Sequence, residues 1–208
     1  MLTPVPLAPE LSLHLADRDH GLFDLAGGEF HSDQPPPFWM FAWAGGQALA
    51  RYLLDHPGVV AGCRVLDVAA GSGLAAIAAA RAGAARVAVD DIDPAAVAAA
   101  HRNAAANGVT LARTVERPEV VLAGDAFYTA RVAGEMTSRL LKARGEGARV
   151  LVGEPGRGYF PEKLFKRVIE YSVPVPVALE ETEMLTTTVW EMQNTMHSPT
   201  NQLYAARI

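Results

Sequence analysis

One nine-residue stretch, Val65-Leu66-Asp67-Val68-Ala69-Ala70-Gly71-Ser72-Gly73, constrains this chain more tightly than any other part of it. The apolar run from Cys63 to Val68 is short and bounded by Gly62 and Gly71, as a buried parallel strand would be. Gly71 and Gly73 let the backbone bend sharply and let a ligand approach where a side chain would clash, and a helix starting near Gly73 offers free N–H groups. An alanine-rich helix is predicted over Leu74 to Ala82, with Gly83 as its stop. Arg86 to Val89 then resumes a β-branched pattern that ends at Asp90 and Asp91. Together these form one βαβ unit, and its repeat along the chain predicts an α/β fold.

The carboxylates narrow the ligand. A pyrophosphate cofactor calls for three loop glycines and little negative charge beside the helix N-terminus. Here Asp67 closes the first strand, where it opposes a diphosphate but suits, directly or through water, the ammonium of an amino-acid cofactor. An acid at the end of the second strand can accept bonds from both ribose hydroxyls. The combination favours adenosylmethionine over a dinucleotide, with a ligand-free tight turn as the plainer alternative.

Around this unit the pattern predicts a helix over Gln47 to Leu54, broken by Pro57-Gly58, and another over Ala95 to Asn107 after Pro94. Strands are expected at Val109 to Val115, Glu119 to Ala123 and Ala148 to Gly153. Helices are expected at Ala130 to Ala143 and at Pro161 to Tyr171, where Leu164, Phe165, Val168 and Ile169 share one face. Val173 to Leu179 and Thr186 to Met192 read as an antiparallel pair at the sheet edge. Residues 1–37, irregular and ending in Pro35-Pro36-Pro37, read as an N-terminal arm, 38–193 as a single catalytic domain and 194–208 as a tail.

Composition trims the options further. With 208 residues the chain can bury a core without staples, and its one cysteine, Cys63, can form no internal disulfide and suits a reducing compartment. The net charge of −5 provides no broad basic field for a nucleic-acid backbone. It suits a basic or lysine-bearing partner, although ordinary solubility charge explains it equally well. No apolar stretch reaches the ~20 residues needed to span a bilayer, and no signal peptide is evident, so a soluble cytoplasmic protein is expected. The six histidines form no close pair with metal-ligand spacing, so no metal site is expected.

The bend and its acids resemble motif I of the seven-β-strand, class I methyltransferases, and Asp91-Ile92-Asp93-Pro94 resembles their second-strand acidic motif. The likeness narrows at Phe38-Trp39-Met40-Phe41-Ala42-Trp43-Ala44-Gly45-Gly46-Gln47 and at Ala50 to Asp55. It continues at Gly124-Asp125-Ala126-Phe127-Tyr128, Gly153-Glu154-Pro155-Gly156-Arg157 and Thr186-Thr187-Thr188-Val189-Trp190. These are similar to segments of the electron transfer flavoprotein β-subunit lysine methyltransferases. The resemblance implies a Rossmann-like sheet of order 3-2-1-4-5-7-6, mostly parallel with an antiparallel C-terminal edge. It also implies adenosylmethionine as donor and lysines of a partner protein, the electron transfer flavoprotein β subunit among them, as acceptors. A ribosomal-protein lysine methyltransferase and a small-molecule methyltransferase are the alternatives.

On the matching positions, Asp67, Ala69, Gly71, Gly73, Asp91 and Ile92 are implied to hold the donor, with Trp43 at its methionine end. Ala69 departs from the glycine usual at that place. The link from the third strand to the fourth, around Glu116-Arg117-Pro118, is too short for an ordinary parallel crossover, so either that strand is very short or a segment is missing. Methyl transfer to an amine is an in-line displacement that needs the neutral amine, whereas a free lysine with pKa ~10.4 is protonated at neutral pH. Asp125 is expected to orient the ammonium and Tyr128 to line its channel as the catalytic pair; a helix N-cap is the plainer role for Asp125. Phe127 is expected as a channel wall or as core packing, and Glu154 as a contact for a basic substrate segment or as solvated loop charge.

Overall fold

The computed structural model describes residues 2–16 and 36–194. The part of the expected arm from 17 to 35 and the tail from 195 to 208 lie outside the described residues.

The βαβ unit forms as expected: β3 (Arg64–Val68), α2 (Leu74–Arg81), β4 (Arg86–Asp90) and α3 (Pro94–Ala106). Gly73 caps α2 in a left-handed conformation, φ 79°, and a Cβ there would lie 2.6 Å from the Cβ of Ala100 on α3. Glycine thus serves both the turn and the close approach of the two helices. Asp93 caps α3, its carboxylate accepting the Ala95 N–H at 2.8 Å, and Pro94 supplies the first-turn position. Then follow β5 (Val120–Gly124), α4 (Ala130–Gly145), β6 (Arg149–Glu154), β7 (Phe165–Pro174), the short α5 (Val177–Glu180) and β8 (Met184–Met192).

The sheet order is β4-β3-β5-β6-β8-β7, with β4, β3, β5 and β6 parallel and β8 antiparallel to both its neighbours. This is the implied order place for place, except that the third strand shrinks to one parallel bridge between Ala88 and Ala112. The short link is thereby explained. Past Ala112 the chain runs beneath the starts of the strands. Thr114 O accepts from Arg86 Nε (3.0 Å), Arg117 O accepts from the Arg64 guanidinium (3.1 Å), and Glu119 N–H donates to Arg64 O (2.8 Å). It has only to pass three strand spacings, about 14 Å, well within reach of eight residues.

Side chains alternate between two cores. Val65, Val120, Leu122 and Leu151 face α1 (Ala44–Asp55) and α2, whereas Val121, Ala123, Val150 and Val152 face α4 through Met136 and Leu140.

Three expectations are corrected here. Pro161 to Tyr171 is not a helix: a 3₁₀ turn at Glu162–Leu164 leads directly into β7. The register shifts between Arg167 and Ile169, so Val168 is an extra residue that resets the two-residue period. The apolar spacing 164, 165, 168, 169 therefore imitates a helix. Val173 to Leu179 is the end of β7 followed by α5, and the edge pair is β7 with β8. The start of the arm is not irregular either: β1 (Leu2–Val5) and β2 (Ala8–His14) form a hairpin with Val5, Ala8, Leu11 and Leu13 buried. Asn103 of α3 and its C-cap residue Asn107 hold it there. Asn103 Oδ1 accepts the His14 N–H at 2.8 Å, and Asn107 Oδ1 accepts the Ser12 N–H at 2.9 Å.

The tightest contact in the fold is backbone on backbone. The first turn of α1 lies on the ends of β5 and β6, so that a Cβ on Gly153 would overlap the Gly45 carbonyl and one on Gly124 would lie 2.8 Å from Gly46 N. Gly153→Ala is expected to cost about 3 kcal/mol or more in urea unfolding. Gly58→Ala, with open space around it, should stay within about 0.5 kcal/mol of the parent.

Candidate active site

A cleft opens at the C-terminal ends of β3 and β5, the point where the sheet order reverses and ligands of open α/β sheets gather. Its lining includes Phe41, Trp43, Gly46, Asp67, Ala69, Gly71, Leu74 and Gly124.

Asp67 forms the floor. It is 2% exposed and accepts the Ala76 N–H in the first turn of α2 at 3.0 Å. Burial pushes its carboxyl up to about 7, against the help of that amide and with a further rise from Asp91. Above it the bend runs through Ala69 at φ 52° and Gly71 at φ 50°. Ala69 thus adopts the left-handed conformation that a glycine would take without cost. Gly71 N–H donates to Asp91 Oδ2 at 2.9 Å, and Asp91 Oδ1 accepts the Asp93 N–H at 3.0 Å, so Asp91 braces the bend from the end of β4. Asp90 pairs with Arg139 of α4 instead. Ile92, next in the chain after Asp91, is 90% exposed.

The other wall is aromatic. Trp43, at the N-cap of α1, donates from Nε1 to Phe38 O at 2.7 Å and packs against Phe38 and Phe41. Tyr128, 42% exposed, has its ring 5.6 Å from that of Phe38. Burial and the charge of Asp91 raise its hydroxyl above the ordinary range.

Asp125 lies just past Gly124, itself in a left-handed conformation at φ 51°. Its carboxylate is 9% exposed and already engaged. Oδ2 accepts from Gly45 N–H and, at 3.3 Å, from Gly46 N–H at the start of α1, and Oδ1 accepts from Arg157 at 2.8 Å. Burial raises its pKa, and Arg157 opposes that rise. Asp125 does cap a helix, though α1 rather than the one that follows it, whose N-cap is Thr129.

Two expected substrate contacts are corrected. Phe127 is fully buried against Phe160, ring centroids 5.0 Å apart and nearly perpendicular, because the turn after Asp125 points it into the α4 core. Glu154 is 3% exposed, so it offers no open surface to a substrate segment: Oε1 accepts from Gly156 and Arg157 N–H groups at 2.8 and 2.6 Å. The structure therefore brings Trp43, Asp67, Ala69, Gly71 and, at the mouth, Tyr128 around one cleft. Gly73 stands behind it.

Sequence reasoning missed Arg157. Its guanidinium bridges Asp125 and Glu180 and lies 5.5 Å from the Trp43 ring. The signal was present, since the segment Gly153 to Arg157 carried the family likeness, but its glutamate drew the attention. The pocket chemistry fits adenosylmethionine: a buried acid that suits the ammonium, a bend of small residues, a braced acid that suits the ribose, and an aromatic wall. Among the described residues no group of His, Cys, Asp or Glu could hold a metal ion, and no helix is long and apolar enough to cross a membrane.

Known proteins agree with this geometry. The family model of ribosomal protein L11 methyltransferase matches residues 47–131. The electron transfer flavoprotein beta subunit lysine methyltransferase of Homo sapiens is 37% identical, covering 90% of this chain and 76% of that protein. Its Xenopus laevis counterpart is 33% identical over 92% of this chain and 82% of that one. Among solved structures, PH1948 of Pyrococcus horikoshii superimposes with a TM-score of 0.54 at 19% identity, over 83% of this chain and 98% of that one, which places the fold.

Two outcomes are expected. A carboxyl near 7 must ionise to hold an ammonium, so donor affinity measured by calorimetry should rise by up to about tenfold per pH unit below pH 7 and level off above it. Asp67→Asn should weaken binding and flatten that dependence. Its effect on stability runs the other way: the folded state holds a proton between about pH 4 and 7 that the unfolded chain releases, so stability falls as pH rises through 7, and the variant should lose that slope. A donor Kd unchanged between pH 6 and 8 would defeat the assignment. Separately, Ala69→Gly should raise stability by up to about 1 kcal/mol, the relief of left-handed strain being offset by unfolded-state entropy.

Proposed function

The chain belongs to the electron transfer flavoprotein β-subunit lysine methyltransferase family, and from that premise we propose that it methylates lysines of an electron transfer flavoprotein β subunit. As a member it is an adenosylmethionine-dependent protein-lysine methyltransferase. Bound adenosylmethionine supplies a methyl group on a sulfonium, already electrophilic, so the residues of the chain have mainly to bind, orient and exclude water.

In this reading Asp67 takes the donor ammonium, Asp91 the ribose, Ile92 covers the base, and Ala69 and Gly71 leave backbone open to the ligand. Trp43 walls the methionine end. The acceptor enters beside Tyr128 and Phe38, whose rings favour a cation at their faces. The observation that carries the reading is the charge at that end. Asp125, Glu154 and Glu180 surround a single Arg157, and this local acid excess draws an ammonium. Asp125 acts through that field and through its hold on α1, because its oxygens are largely taken. The amine must shed its proton before transfer, to solvent through the mouth at Tyr128.

Residues 38–193 form the catalytic domain in this reading, extended by the β1–β2 hairpin. The cytoplasm expected from composition is the working location, with cell fractionation as its check.

The rival acceptor, a ribosomal protein, is supported by the family-model match over 47–131. That span covers the donor half and stops short of β6 to β8, so it speaks to the donor more than to the acceptor.

Purified enzyme, methyl-labelled adenosylmethionine, and separate portions of electron transfer flavoprotein β subunit, ribosomal protein L11 and a small-molecule extract test the assignment. Label is expected on lysines of the β subunit. Label on L11 alone transfers the assignment to the rival, and label confined to small molecules overturns a protein acceptor.

A further inference from the structure

Arg157 joins four separate parts of the fold. Its guanidinium donates to Asp125 at the end of β5 (2.8 Å) and to both oxygens of Glu180 in α5 (2.6 and 2.9 Å), and it lies over Trp43 at the start of α1. Its own backbone N–H, on the loop after β6, is held by Glu154. The side chain is 22% exposed and those of its partners Asp125 and Glu180 only 7% and 10%, so these are charge-assisted bonds largely shielded from water. Burial alone would lower the guanidinium pKa, but Glu180 and Asp125 outweigh it and raise it. Glu154 Oε2 is buried without a hydrogen-bond partner, and burial raises the Glu154 pKa.

We propose that Arg157 is a positioning residue for methyl transfer: it holds Asp125 seated on α1, and it ties the β7–β8 connection, residues 175–183, across the acceptor side of the cleft. The assignment rests on the acceptor entering on that side, as set out above. Two consequences separate it from a general stabilising role. First, the groups facing Asp125 are Arg157 as a cation, Glu154 and Glu180 as acids, and the Gly45 and Gly46 N–H groups from α1. Without Arg157 the carboxyl is neutralised at a higher pH. Secondly, Glu180 is the fastening point of the connection, so its loss must free the same segment without removing the cation from Asp125. Lysine keeps the charge but cannot fork onto two carboxylates.

The test uses the full chain and the variants Arg157→Gln, Arg157→Lys and Glu180→Gln, with melting temperature recorded for each. Hydrogen exchange of residues 175–183, measured without any acceptor, should speed up about tenfold or more in all three. Adenosylhomocysteine affinity should fall by less than kcat does, since Asp67 and the bend are untouched and only the Trp43 wall loses its contact with Arg157. In Arg157→Gln, kcat should fall about tenfold or more, with the acid limb of its pH profile moved up by about one unit. Arg157→Lys should restore the profile but not the exchange protection. Glu180→Gln should raise the acceptor KM and leave the acid limb in place. Unchanged exchange at 175–183, or a loss of kcat that is uniform across pH and tracks the melting temperature, would overturn the proposal. If the parent enzyme labels no protein lysine, the acceptor assignment fails while exchange still decides the tie to Glu180.

Discussion

The start of α1 is held by one carboxylate. Asp125 receives the first amides of the helix, and it can do so only because Gly45, Gly124 and Gly153 let backbone lie on backbone at the ends of β5 and β6. A helix N-terminus carries unpaired donors and a positive partial charge, so an acid here settles the helix and loses part of its own charge to it. Because Trp43 caps the same helix and Gly46 lines the cleft, the placement of one wall of the site follows from that contact. The sheet supplies the place, and the carboxylate fixes the angle.

The cleft is flanked by two residues other than glycine in left-handed conformations, Ala69 after β3 and Asp125 after β5. Each costs roughly 1–2 kcal/mol relative to a relaxed residue. Both stand where a strand must turn abruptly so that its last peptide groups face the ligand space. Asp67 adds a third cost, a buried carboxyl only half inclined to ionise near neutrality. In the proposed function a bound donor ammonium would relieve that carboxyl, and the conformational and electrostatic costs lie in the same few residues.

Much of this was legible in the sequence, and the rest was hidden for identifiable reasons. The βαβ unit could be read because glycine, alanine and β-branched residues segregate cleanly, and Asp91 was separable from Asp90 by its place before Ile92-Asp93-Pro94. β7 was read as a helix because the extra residue at Val168 shifts the alternation by one, and a shifted two-residue period is locally indistinguishable from a helical one. The hairpin at the N-terminus was obscured by its prolines, while the asparagines that hold it lie about ninety residues away. Phe127 and Glu154 stood in motif segments, and such a segment shows that a residue matters without showing which way it points. Arg157 escaped because a side chain that links four parts of a fold has no periodicity at all.

The bulge at Val168 has a bearing on solubility. β7 is ten residues long and, among the described residues, pairs only with β8, and a long flat strand with a free rim can recruit strands from other molecules. The extra residue puts a local twist into that rim, and exposed Lys166, Arg167 and Glu170 place charge along it. At the opposite rim the single bridge at Ala112 leaves little regular ladder beyond β4. The irregularity that defeats a reader of the sequence also makes that rim a poorer template for a further strand.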